Sequence, residues 1–208
     1  VSGMGGTRGA EETNERRGPG AGAMRIRRVA PGEEPALLAI FQSSVRGLAS
    51  RDYTPAQIDA WAPLASDAAW CEAWCRRVGA NHPWAVEIEA RLVAYADLQP
   101  SGYLDHFYVA AEAAGQGIGA ALMRHLLGIA REQGIDCVIA DVSLRARAFF
   151  ERFGFAVELE QCVSVRGVSL RNARMRLAVA AAPAAPAGPA GPAGPLPAGP
   201  LAGTPLND

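Results

Sequence analysis

Tyr103-Leu-Asp-His-Phe-Tyr-Val109 leads through Ala110–Ala114 into Gly115-Gln-Gly-Ile-Gly-Ala-Ala-Leu122. The first part has the aromatic and β-branched composition of a strand, expected over Gly102–Ala110. From Gly117 onward Ile118, Leu122, His125, Leu126 and Ile129 recur on one helical face, and Gly134 closes the helix as a left-handed cap. The first four amides of a helix have no intrahelical partner, and the helix dipole adds positive potential there. Glycines at 115, 117 and 119 let that backbone approach a bulky diphosphate without Cβ collisions. On these residues alone three owners of the anion stay open: coenzyme A, a dinucleotide, or none.

Upstream, Met24–Val29 reads as a strand, and Glu33–Leu48 as a helix with Leu37, Phe41, Val45 and Leu48 on one face. Thr54-Pro55-Ala56-Gln57 is a capping-box start with proline at the first helical position, followed by Ile58 and Trp61. Ser66 is expected to cap the next helix, where Trp70 and Trp74 share a face. Pro83–Glu89 and Arg91–Leu98 read as strands joined by a tight turn near Ala90. Downstream come a buried strand, Asp136–Val142, and a short helix, Arg145–Arg152, stopped at Gly154. Phe155–Val165 and Val168–Leu177 form a closing antiparallel pair around Arg166-Gly167. The order β-α-α-α-β-β-β-α-β-α-β-β predicts a single α/β domain, a mixed central sheet flanked by helices on both faces.

Two ends fall outside this pattern. Residues 1–23 are rich in Gly, Glu and Arg and lack periodicity; they are expected to be a disordered extension, with Met24 a candidate start. Residues 179–208 are almost wholly Ala, Pro, Gly and Leu without strict Gly-X-Y periodicity, and are expected to be a disordered tail. The folded domain is then 24–178. Half the residues are hydrophobic and the formal net charge is −1. That balance gives no general reason to expect nucleic acid or an anionic membrane as partner. Every basic residue is arginine. No run of about 18 apolar residues and no signal-peptide core is present, so the expectation is a cytoplasmic protein, monomer or homodimer. Cys71 and Cys75 fall on a helix, Cys137 and Cys162 on strands. With no Cys-x-x-Cys pair, they are expected to be reduced thiols, and no metal is expected.

The spacing Gly115-x-Gly117-x-x-Ala120 also satisfies the dinucleotide fingerprint, with Asp141 near the place of a ribose-binding acid. Against it, five residues separate strand from first glycine, and the chain closes with a short helix and a hairpin instead of further βα units. The segment is instead similar to the GNAT acyltransferase superfamily. That family's Arg/Gln-x-x-Gly-x-Gly/Ala signature follows a strand ending in aromatic-x-Val. Here it reads Ala114-x-x-Gly117-x-Gly119, with alanine in the place of the basic or amide side chain. A second element, Ala146-x-x-Phe149-Phe150-Glu151-Arg152-Phe153-Gly154-Phe155, resembles the family's Ala-x-x-Phe-Tyr-x-x-x-Gly-Phe. Tyr53-Thr-Pro-Ala-Gln-Ile-Asp-Ala-Trp-Ala62 resembles a bacterial subgroup carrying Tyr-Ser/Thr-Pro-x-Gln-Ile-x-Ala-Trp-Ala. The resemblance covers roughly 24–178.

The resemblance implies an acetyl-coenzyme A-dependent N-acetyltransferase in which an amine attacks the thioester directly. Two neighbouring strands splay and the pantetheine arm lies between them, along Phe107, Tyr108 and Val109. Backbone groups of Ala114, Gly115, Gln116, Gly117, Ile118, Gly119 and Ala120 hold the pyrophosphate. Ser143 stands where the family often has an Asn facing the arm. Phe149 and Phe150 flank the thioester end, with core packing as the alternative for each. Phe150 replaces the family's usual acid, a tyrosine. Tyr108 or a water then protonates the departing thiolate, or it leaves unprotonated, a thiol pKa being about 8.5. For the base Asp105 is preferred, with a strand-edge hydrogen bond as its alternative. His106 is the second candidate, placed by strand alternation on the opposite face. His82 and His125 read as structural. Tyr53, Trp61, Tyr95 and Tyr103 are candidates to line the acceptor site. The acceptor stays open among a small amine, an amino-acid derivative, an aminated xenobiotic and a protein N-terminus. Two other functions stay open: a non-catalytic coenzyme A-binding module, and a dinucleotide oxidoreductase.

Overall fold

The computed structural model describes residues 23–64 and 67–179. The extensions expected over 1–23 and 179–208 therefore lie, apart from residues 23 and 179, outside the described residues. In chain order the elements are β1 (Arg25–Arg28), α1 (Glu34–Leu48), α2 (Pro55–Trp61), α3 (Ala68–Ala80), β2 (Trp84–Ile88), β3 (Arg91–Ala96), β4 (Tyr103–Leu104), β5 (Phe107–Val109), α4 (Ile118–Glu132), β6 (Cys137–Ser143), α5 (Arg147–Glu151), β7 (Ala156–Val165) and β8 (Val168–Ala178).

The expected mixed sheet is present in two four-stranded parts, ordered β1-β2-β3-β5 and β4-β6-β8-β7. The strand expected over Gly102–Ala110 does not run through. Asp105 and His106 interrupt it, so β4 pairs with β6 in parallel while β5 pairs with β3 antiparallel. Consecutive short strands thus serve different sheets, and the sheets part at this point.

Both faces of the first sheet are covered. Ala85, Tyr95 and Tyr108 are cross-strand partners and share one face, whereas Trp84 and Ala96 share the other. Phe41 of α1 meets Tyr108 edge-on at 5.0 Å, and His125 of α4 meets Trp84 at 4.4 Å. Helices α1 and α4 therefore lie on opposite faces. The buried face of α4 is Ile118, Leu122, Met123, Leu126, Leu127 and Ala130. His125 and Ile129, expected on that face, are only half-buried at its margin. Burial lowers the pKa of His125, which keeps it neutral against the Trp84 ring.

Local chemistry sets the boundaries. Thr54 and Gln57 form the expected reciprocal capping box with Pro55 at the helix start. Ser66 lies outside the described residues; the cap of α3 is Asp67, whose carboxylate accepts from Trp70 N at 3.0 Å. The β2–β3 turn places Glu89 and Ala90 at positive φ, and the β7–β8 turn does the same with Arg166 and Gly167. Both match the twist that two-residue hairpins need. All four cysteines are free thiols. Among the described residues no helix is long and apolar enough to cross a membrane.

Gly102 sets the parallel pairing of β4 with β6. It sits at φ +83, its carbonyl accepts from Ile139 N at 3.0 Å, and a Cβ there would lie 2.1 Å from the Cys137 carbonyl oxygen. Gly102→Ala should lower the unfolding free energy by about 3 kcal/mol, combining left-handed strain with a forced backbone shift. Gly128, inside α4 with open space beside it, gives the opposite sign: Gly128→Ala should add about 0.5–1 kcal/mol. Urea denaturation of both variants checks the pair.

Candidate active site

The interruption at Asp105–His106 is organised by one residue that the sequence reading did not single out. Asp97 follows β3 directly and is fully buried. Its Oδ1 accepts from the backbone amides of Asp105 and His106, at 3.0 and 3.3 Å. Its Oδ2 accepts from Asn81 Nδ2 at 2.9 Å and lies 2.7 Å from His106 Nδ1. The Asp97 amide in turn donates to the His106 carbonyl at 3.1 Å. A buried carboxylate with this many donors stabilises the bend that separates β4 from β5.

The same contacts correct the expected side-chain directions. His106 and Asp105 do not face opposite ways: Asp105 Oδ2 is 3.3 Å from His106 Nδ1 and also accepts from Asn81. The alternation rule fails because neither residue is in a strand. With Nδ1 facing two carboxylates, the neutral ring carries its proton on that nitrogen, which leaves Nε2 bare. Ligand atoms of Asp97, Asp105 and His106 lie within 4.8 Å of one another. Both Asp97 oxygens, however, are already satisfied by N–H donors.

Asp105 and His106 border a cavity of about 120 Å³. Its aromatic wall includes Tyr53, Trp61, Trp70, Trp74 and Tyr108; its polar wall includes Asp141, Ser143, Arg166, Arg171 and Asn172. Two expected acceptor-site residues stand elsewhere. Tyr95 is wholly buried in a ring cluster with Trp74, His106 and Tyr108, so it belongs to the core. Tyr103 acts behind the wall, its hydroxyl 3.2 Å from Asp141. Arg174 grips Asp141 with two bonds of 3.0 Å, and Gln161 adds a third at 2.9 Å.

A second, larger cleft of about 750 Å³ lies between β5 and the start of α4. Phe107, Tyr108, Val109, Ala114, Gly115, Gly117, Gly119, Ala120, Ser143 and Phe149 all line it. Gly115 and Gly117 have φ near +80, and a Cβ on either would meet nothing within 4 Å. The first intrahelical bond of α4 runs from Ala121 N to Gly117 O, so the amides of Ile118, Gly119 and Ala120 precede it. The Ile118 side chain is buried, leaving only its backbone for the cleft. The Gln116 side chain turns back to the Glu112 carbonyl at 3.0 Å. Phe150 is buried among Phe107, Phe149 and Phe155, which makes it core and not cleft. The charged residues on the cleft wall are Arg51, Arg145 and Arg152, with no carboxylate among the lining residues. Such a site favours a polyanion. Trp61, Tyr108 and Ser143 belong to both walls, and mark where the cavities meet.

The family model described as Acetyltransferase (GNAT) domain matches residues 49–177. The uncharacterized N-acetyltransferase YafP of Escherichia coli (strain K12) is 31% identical over 153 residues, which is 74% of this chain and 95% of that protein. A GCN5-related N-acetyltransferase from Rhodopseudomonas palustris is 26% identical with a TM-score of 0.69, over 76% of this chain and 97% of that one. The PaiA N-acetyltransferase of Thermoplasma acidophilum, solved in complex with coenzyme A, shares the fold. It is 16% identical with a TM-score of 0.57, over 75% of this chain and 99% of that one.

Tyr53 ties this region together. Its hydroxyl donates to the Arg171 carbonyl at 2.6 Å and accepts from Leu144 N at 3.0 Å. Burial raises the phenol pKa, so it remains a donor. Tyr53→Phe leaves an amide and a carbonyl unpaired, and should lower stability by about 2 kcal/mol in urea titrations.

Proposed function

Since this chain belongs to the GNAT acetyltransferase family and is an acetyltransferase, we propose that it is an acetyl-coenzyme A-dependent N-acetyltransferase, with the amine in the Asp105–His106 cavity and the donor in the arginine-rimmed cleft. The observation that carries the reading is the shared wall: Trp61, Tyr108 and Ser143 line both spaces. Two reactants held there meet without crossing the protein, which is the main contribution such a site makes.

The residues present fit the donor. The open glycines and the first amides of α4 suit a diphosphate, and Arg51, Arg145 and Arg152 suit its negative charge. Coenzyme A was bound in the crystals of the Thermoplasma acidophilum relative. When bound, acetyl-coenzyme A supplies a thioester carbonyl for the amine to attack. His106 Nε2 accepts a proton from the acceptor ammonium, and Asp97 holds the ring in the required tautomer. This shifts the base from Asp105, whose Oδ2 already accepts from Asn81, to its neighbour. Asp105 instead steadies the imidazolium and attracts the ammonium. Tyr108 takes the acid role that Phe150 cannot fill. Burial, helped by the Asp105 charge, raises its phenol pKa while the Trp61 indole opposes the shift, so the phenol stays protonated and can offer the departing thiolate a hydrogen bond.

The non-catalytic alternative needs no proton acceptor in the cavity, and the buried Asp97–His106 pair speaks against it. The test is thiol release from acetyl-coenzyme A over a panel of amines, with product masses recorded. His106→Gln should lower kcat about 10²–10⁴-fold, with the Kd for coenzyme A within about twofold of the parent. An unchanged kcat removes His106 from the role. Tyr108→Phe should lower kcat by about ten- to a hundredfold, again sparing coenzyme A binding. Equal turnover in that variant means the thiolate leaves unprotonated.

A further inference from the structure

We propose that Asn81 is a positioning residue of the amine cavity: its side-chain amide holds the Asp105 carboxylate beside His106, so that the anchor for the acceptor and the base stay together. The inference rests on the acetyltransferase reading above and assigns that reading a further residue.

Asn81 ends α3 and does not itself line the cavity. Its Nδ2 carries two hydrogens and has one carboxylate for each: Asp97 Oδ2 at 2.9 Å and Asp105 Oδ2 at 3.1 Å. The reverse amide orientation would set Oδ1 against both carboxylates, so the arrangement admits one orientation. Asp97 has three other donors, two backbone amides and His106 Nδ1. Asp105 is less secured. The single proton on Nδ1 goes to Asp97 at 2.7 Å, and Asp105 Oδ2 lies farther from that nitrogen, at 3.3 Å. Asn81 is thus the side chain that commits a proton to Asp105. The two carboxylates also repel, since the ligand atoms of Asp97, Asp105 and His106 fall within 4.8 Å of one another. Without the amide between them, Asp105 is free to turn from the ring into the cavity that it borders. With Oδ2 held, Oδ1 is the oxygen that can accept from an ammonium.

The backbone makes this reach possible. The Asn81 amide closes α3 on the Val78 carbonyl at 3.2 Å, and the His82 amide bonds the Gly79 carbonyl at 3.0 Å. His82 then takes φ +46 as the chain turns toward β2. The same helix carries Trp70, Trp74 and Arg77 of the cavity wall, with Arg77 one turn before Asn81. Arg77 brings positive charge to this wall; the neutral Asn81 contributes direction and no charge. The helix that borders the acceptor therefore also holds the acceptor's anchor, through its last side chain.

The experiment is a double-mutant cycle on Asn81→Ala and Asp105→Asn. It is read as KM and kcat for the amine turned over fastest among phenethylamine, L-phenylalanine and an alanyl tripeptide. Asn81→Ala should raise the KM for the amine about tenfold with a smaller change in kcat, and the Kd for coenzyme A should stay within about twofold. In the Asp105→Asn background the same substitution should add less than about twofold, because the carboxylate it positions is gone. A purely structural role, acting through Asp97 or the end of α3, gives equal effects in both backgrounds and overturns the inference, as does an unchanged KM. If the alanine variant loses coenzyme A binding, Asn81→Ser takes its place, since a single hydroxyl donor cannot span both carboxylates, and the same cycle is expected. If no amine turns over, the cycle is read in the Kd of each amine, from quenching of tryptophan fluorescence in the coenzyme A-loaded protein, with the same two outcomes. Absence of both turnover and amine binding in the parent overturns the acetyltransferase reading, and the inference with it.

Discussion

A buried carboxylate holds the two sheets apart. Asp97 is sealed from solvent at the end of β3 and receives two backbone amides, one side-chain amide and one imidazole nitrogen. Removing any donor would leave charge uncompensated in a dry site, so all four are fixed together. The two backbone amides belong to Asp105 and His106, the residues between β4 and β5. Their bonds to Asp97 replace strand pairing at that point. The chain can therefore leave one sheet and join the other without stranding its polar groups.

This division determines where the two cavities open. β5 stays with the first sheet under α1, and β4 follows β6 into the second. The larger cleft opens beside β5 and is roofed by the glycine-rich entry to α4. The smaller cavity opens beside the Asp105–His106 break. One bend thus creates both spaces and places an imidazole at the edge of one of them. Tyr108, only two residues beyond His106, reaches the boundary between the two. The bend and the walls of both spaces therefore depend on the same few residues, and Asp97 holds them through its hydrogen bonds.

Much of this was legible in the sequence. Helical spacing, the Thr54–Gln57 box and the turns at Glu89–Ala90 and Arg166–Gly167 are local signals, and the structure keeps them. The glycine loop was legible for the same reason: its positive φ values are written in residue type. Side-chain direction at Asp105 and His106 was not. Period-two alternation assumes an unbroken strand, and the break depends on Asp97, a residue distant in pairing and plain in composition. The burial of Phe150 and Tyr95 was equally hidden, because an aromatic at a cleft and one in a core look alike in sequence. A polar residue ending an apolar strand, as Asp97 does after Leu92–Ala96, was the available clue.

The central claim is that Asp97 fixes the proton of neutral His106 on Nδ1 and leaves Nε2 to accept one. Nitrogen-15 NMR of histidine-labelled protein reads this directly, and with only His82, His106 and His125 present assignment by substitution is simple. In its neutral form, His106 should show a protonated Nδ1 and a bare Nε2, the tautomer opposite to that favoured by free histidine. A proton found on Nε2 would contradict the account, because the nitrogen facing Asp97 would then have nothing to donate.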